Sequence, residues 1–149
     1  MAFKGRDLAE WTQGYWHGEA PLMVEGLFFD TRMIEPQSLF VALSYGVRDG
    51  HDFVAEAMKQ GASCCMVERA LDLEIPQLIV EDSLEALADI ARKVRGDFMN
   101  PVIGITGSFG KTSTKAMLQS VLGSDKTYIT KGNWNNCLGV SMTLAKLPG

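Results

Sequence analysis

No run of about 18 apolar residues occurs anywhere in the 149-residue chain, which excludes a conventional membrane-spanning helix. The opening Met1-Ala2-Phe3-Lys4-Gly5-Arg6-Asp7 also lacks the apolar core of a secretory leader. Cysteine is scarce. The three thiols, at 64, 65 and 137, are odd in number and have neither disulfide nor metal-ligand spacing. They read as buried, reduced side chains, as expected of a cytoplasmic protein. Acidic residues are missing from one end: residues 1–97 hold 17 acids against 9 bases, whereas residues 98–149 hold one acid, Asp125, against 5 bases. A basic second part suits an anionic ligand such as a nucleotide. Five bases without interleaved aromatics do not make a nucleic-acid surface.

A composition 46% hydrophobic and 21% charged is that of a folded globular chain. Its length fits one ordinary domain or two small ones. The sign change in charge puts a boundary near Asn100-Pro101, dividing the chain into units at 1–98 and 99–149. In the first, a short helix is expected over 6–13. Strands are expected at Gly26–Asp30, Ser38–Leu43, Cys64–Val67 and Leu78–Val80. Asp52 is placed to cap a helix carrying Phe53, Val54, Ala57 and Met58, which Gly61 stops. Asp82, with Glu85 three residues on, caps the clearest helix. Its stripe of Leu84, Leu87, Ala88, Ala91 and Val94 is core packing. Alternating strands and helices make this an α/β unit.

The second unit opens on Pro101. Val102-Ile103-Gly104-Ile105-Thr106 reads as a buried strand, and Lys111 to about Leu122 as a helix. Thr127–Thr130 follows as a strand, and a last helix is expected from Leu138 to Lys146. Between the first strand and helix lies Gly107-Ser108-Phe109-Gly110-Lys111-Thr112. Glycines there let backbone N–H groups turn inward around phosphate oxygens, and the helix N-terminus adds its positive end. Lys111 would reach the β- and γ-phosphates, and the Thr112 hydroxyl would ligate Mg²⁺. The spacing departs from G-x-x-x-x-G-K-[ST], which wants a glycine where Ile105 stands. The later-strand acid that usually assists the metal is absent, since no Asp or Glu follows Asp125. Two strands and two helices also leave an open apolar edge, so the sequence reads as ending inside its second unit.

The loop from Gly104 to Lys115 (Gly-Ile-Thr-Gly-Ser-Phe-Gly-Lys-Thr-Ser-Thr-Lys) resembles that of the Mur ligases, the ATP-dependent enzymes that build the peptidoglycan peptide. Two further segments agree. One is Asp30-Thr31-Arg32 with Leu39–Leu43 and Asp49–Phe53. The other is Gly132-Asn133-Trp134-Asn135-Asn136-Cys137-Leu138-Gly139-Val140. The resemblance covers about residues 25–148. The Thr114-Lys115 ending and the Asn-rich segment look most like the branch that adds D-Ala-D-Ala to a UDP-N-acetylmuramoyl tripeptide.

That resemblance implies a small N-terminal α/β domain for the UDP end of the substrate, followed by the first strand–P-loop–helix units of a P-loop ATPase domain. It implies ATP and Mg²⁺ as cofactors, and a UDP-N-acetylmuramoyl peptide and D-Ala-D-Ala as partners. The implied enzyme is a cytoplasmic monomer of cell-wall synthesis, with no nucleic-acid partner and no membrane insertion. Its reaction turns the substrate carboxylate into an acyl phosphate, which the dipeptide amine then attacks. By the same resemblance Lys111 is the catalytic residue, and Gly107, Ser108, Phe109, Gly110, Lys111, Thr112 and Ser113 hold the nucleotide. Asn135 and Asn136 join them, Thr112 is the metal ligand, and Thr31, Arg32 and His51 meet the UDP end. The family's later residues and third domain have no counterpart here, so the chain alone is expected to be inactive.

Bland readings stand beside these. Asp30 and Arg32 are as readily a paired turn, His51 a structural histidine, Trp134 a packing residue, and Lys115 a solvated helix face. Two other functions stay open: a sibling ligase that adds the third residue, and a non-catalytic nucleotide-binding module.

Overall fold

The computed structural model of the chain describes residues 2–45, 48–132 and 134–148. Its centre is a five-stranded sheet formed by β1 (Tyr15–His17), β2 (Leu27–Phe28), β3 (Ser38–Val41), β6 (Ala62–Val67) and β7 (Gln77–Ile79), in the order β1-β7-β6-β3-β2. β2, β3, β6 and β7 run parallel, and β1 closes one edge antiparallel to β7. A separate hairpin pairs β4 (Ser44–Tyr45) with β5 (Arg48–Asp49).

A parallel sheet must be covered on both faces, and its strands are accordingly continuous apolar runs. Side chains alternate between two cores. Leu39, Val41, Cys64, Met66 and Leu78 point to one, while Phe40, Ala42, Cys65 and Val67 point to the other. Neighbouring Cys64 and Cys65 therefore lie on opposite faces of β6, which accounts for two adjacent buried thiols without a disulfide. The second core is closed by α2 (Val54–Lys59), whose Val54 and Ala57 are buried.

The first core is covered by α1 (Gly5–Thr12), α3 (Ser83–Asp97) and α5 (Cys137–Ala145). Asp82 caps α3 as expected, its carboxylate accepting from the Glu85 N–H at 2.8 Å. The buried stripe is Ala86, Leu87, Ile90, Ala91 and Val94, rotated slightly from the expected one, with Leu84 and Ala88 half-buried at its border. Met142, Ala145 and Leu147 belong to this same core, and α5 packs directly on α3. The apolar core thus continues past the boundary expected at residue 98.

Three expectations are corrected. Asp52 caps nothing: Asp49 instead caps a 3₁₀ turn, Gly50–Phe53, that leads into α2. Cys137 is exposed at the first position of α5. Residues 102–106 and 127–130 carry no strand. A strand exists only through a partner, and none of the described residues pairs with either segment. Val102 and Ile103 are left 43% and 60% exposed, so the apolar pattern is present without a sheet to bury it.

Candidate phosphate loop and substrate cleft

Both glycines of the candidate loop have backbones that L side chains resist: φ is +143° at Gly107 and +78° at Gly110. Gly110 is also the N-cap of α4 (Lys111–Leu122), and it offers no side chain to cap the N–H groups that α4 presents. A Cβ at Gly110 would meet no atom within 4 Å, so the space above the helix start is open. Unsatisfied N–H groups, a helix dipole and open space are what a phosphate requires. The Lys111 ammonium folds back onto the Gly107 carbonyl oxygen, spanning the loop's mouth. Ser108, Phe109, Thr112 and Ser113 are exposed around it, Phe109 to 96%. For the metal the fit is partial. Thr112 offers a hydroxyl at the helix start, and the described residues hold no cluster of three His, Cys, Asp or Glu.

The Asn-rich segment is strongly held. Asn136 caps α5 by accepting from the Gly139 N–H at 2.9 Å. That contact commits its side-chain oxygen, so any ligand contact falls to its NH₂ group. Trp134 packs against Phe29, ring centroids 5.8 Å apart, in agreement with the packing reading. Asn135, between them, is exposed. Asn133 lies outside the described residues. Lys115 is not a solvated helix face. It is half-buried, and its ammonium donates to the carbonyls of Thr130 at 2.7 Å and Gly132 at 2.8 Å.

At the carboxyl edge of the parallel strands, where open α/β sheets place ligands, β2 ends in a 3₁₀ turn, Thr31–Met33. Asp30 caps the turn and forks onto Arg32, with Oδ1 2.9 Å from Nε and Oδ2 2.6 Å from Nη2. This pair holds the Asp30 carboxyl below its usual range and the guanidinium above its own. Thr31 is half-buried and Arg32 exposed.

His51 is anchored inside the protein. Its side chain is 1% exposed. Nδ1 lies 2.5 Å from Asp49 Oδ1, and Nε2 accepts the Glu68 N–H at 2.9 Å. An Nε2 that accepts makes Nδ1 the donor, so both ring nitrogens are spent inside the protein. No side-chain contact to a uridine end is left to it. Asp49 also accepts from Arg69 at 2.6 Å, and from the His51 N–H at 2.9 Å. Arg69, followed by the two His51 donors, holds its carboxyl well below the usual carboxylate range.

Pattern reading missed a cleft of about 450 Å³ between the β2 edge and the segments flanking α5, lined by Phe28, Met33, Glu35, Tyr128, Lys131 and Lys146 among others. Lys146 stands 3.9 Å above the Phe28 ring centroid. Burial, then Lys131, lowers its pKa, against an opposing pull from Glu35. The basic excess of residues 98–149 was the available signal, but charge alone did not say which lysines converge.

No protein-family model matches the chain. Individual proteins do. It is 42% identical over 129 residues to the UDP-N-acetylmuramoyl-tripeptide–D-alanyl-D-alanine ligase of Escherichia coli K12, an alignment spanning 86% of this chain and 28% of that enzyme. The chain is homologous to part of a Mur ligase. Among solved structures, MurF from Acinetobacter baumannii superposes with a TM-score of 0.91 at 40% identity, covering 99% of this chain and 34% of that one. MurF ligase from Thermotoga maritima, solved in complex with ADP, gives 0.70 at 32% identity over 85% of this chain and 30% of that one. The chain therefore spans about a third of the length of the Mur ligases it matches.

Proposed function

We propose that the chain is the portion of an ATP-dependent D-alanyl-D-alanine-adding ligase that grips the nucleotide phosphates and the UDP end of the muramoyl tripeptide. The observation that carries this reading is the loop: two positive-φ glycines delivering an uncapped helix N-terminus beside Lys111. Bound ATP supplies the phosphoryl group that activates the substrate carboxylate. The chain's own share is positioning and charge neutralisation. The backbone from Gly107 to Thr112 wraps the phosphates, aided by Ser108, Phe109 and Ser113. Lys111 would leave the Gly107 carbonyl to meet developing charge, and Thr112 would offer its hydroxyl oxygen to Mg²⁺. Asn135 faces the reacting end, with the Asn136 amide beside it.

The cleft beside Thr31 and Arg32 receives the UDP end, where Lys131 and Lys146 supply cations. The two functional units correspond to residues 1–98 and 99–149, docked through α5. The enzyme is a cytoplasmic monomer. No Asp or Glu follows Asp125 to assist Thr112 at the metal, so residues 1–149 alone bind without turning over.

A protein extending this chain with its downstream reading frame should release phosphate only when ATP, the UDP-muramoyl tripeptide and D-Ala-D-Ala are all present. Release with a single amino acid acting on the dipeptide precursor would move the assignment to the sibling ligase. A folded protein that releases none would sink the ligase reading.

A further inference from the structure

α4 carries no buried residue. Apolar packing therefore does not fix where it lies, although the phosphate loop is continuous with it. Met117 and Val121 are 68% and 81% exposed. Among the described residues, the side-chain hydrogen bonds from α4 to anything beyond its own loop come from Lys115. That ammonium bridges two carbonyls, Thr130 at 2.7 Å and Gly132 at 2.8 Å, in short charge-assisted bonds. One helical turn earlier, on the same face, Lys111 reaches Gly107. The two lysines thus tie two loops to one face of the helix.

The far end of the Asn-rich segment is fixed independently. The Trp134 N–H bonds the Lys131 carbonyl at 3.1 Å, its ring rests on Phe29, and Asn136 caps α5. Exposed Asn135 sits between these anchors. Because α5 belongs to the main core, the Lys115 clamp joins the phosphate loop to that core.

We infer that Lys115 is a positioning residue that sets the Asn-rich segment against the phosphate loop, without itself touching phosphate. Its kinetic part rests on the ligase reading above, while the clamp itself does not.

Two measurements test it. In the 149-residue chain, Lys115→Met should speed amide exchange at Trp134 about tenfold or more, because a clamped turn then opens locally. Amides of β3 and β6 should keep their rates. Unchanged exchange at Trp134 would overturn the clamp. In the extended ligase, the same variant should lower kcat/KM for the muramoyl tripeptide at least about tenfold, since small misplacements of reacting groups are costly. KM for ATP should stay within about twofold, and Lys115→Arg should restore part of the loss. A parallel rise in the ATP KM would make Lys115 a phosphate ligand and contradict the inference, as would unaltered kinetics. If Lys115→Met does not fold, Lys115→Arg carries both measurements, with smaller changes of the same sign. A wild-type extended protein without phosphate release would count against the ligase reading, and the exchange result would still decide the clamp.

Discussion

An imidazole that donates from one nitrogen and accepts at the other has nothing left to offer a ligand, and His51 is in that position between Asp49 and Glu68. His51→Ala should cost about 1–2 kcal/mol in urea unfolding, because it strands the half-buried Glu68 N–H and removes a partner of Asp49. In the extended ligase it should leave the KM for the UDP substrate within about twofold. Asp49 adds a pH dependence. Its folded-state pKa is depressed by Arg69 and His51, so its stabilisation is complete above the unfolded carboxylate value of about 4 and is lost as pH falls below it. The gap in unfolding midpoint between wild type and Asp49→Asn should therefore narrow from pH 6 to pH 3. A gap that stays constant would contradict the assignment. The resemblance brought His51 to notice, but its hydrogen bonding depends on the Glu68 N–H, which the end of β6 supplies. Lys115 was misjudged for the same reason: its partners lie 15 and 17 residues away.

At the scale of elements, the α5 start shows how a small residue decides packing. Gly139 is helical, where alanine would ordinarily be favoured. Here a Cβ would fall 2.5 Å from the Trp134 Cβ and 2.7 Å from its Cα, against atoms that cannot swing away. Gly139→Ala should thus destabilise by about 1–3 kcal/mol, with a red shift in tryptophan emission as Trp134 leaves Phe29. A stabilised variant with unchanged emission would show that the contact is looser than described. Elements legible in the sequence were those with a continuous apolar run or a capped helical stripe: β3, β6 and α3 all formed where expected. β1 and the β4–β5 hairpin were not foreseen, since two or three residues carry too little pattern. The segments at 102–106 and 127–130 had the right pattern, but pattern states what a strand would bury and not whether a neighbour exists to pair with it.

For the whole molecule, the two faces of the sheet separate its thiols. Burial pushes both Cys64 and Cys65 up to about 12. Native protein at pH 8 should therefore present one thiol accessible to a disulfide reagent, Cys137, and two that react only on unfolding. Three fast thiols would mean that the β6 cores are open. Since the folded pKa values are raised, this contribution to stability is complete below the unfolded thiol value of about 8.5 and is lost as pH rises toward 12. The same core holds α5, and through the Lys115 clamp it supports a helix that buries nothing of its own.

The central claim is that the loop beginning α4 is the phosphate site of a ligase. Lys111 makes its one described hydrogen bond within that loop, so Lys111→Met should leave the melting temperature within about 2 °C, as expected of a surface change outside the core. In the extended protein, the substrate-dependent rate of phosphate release should fall at least about 100-fold, the scale of losing one electrostatic contact to a developing charge. A Lys111→Met enzyme that folds and releases phosphate at near the wild-type rate would contradict the account.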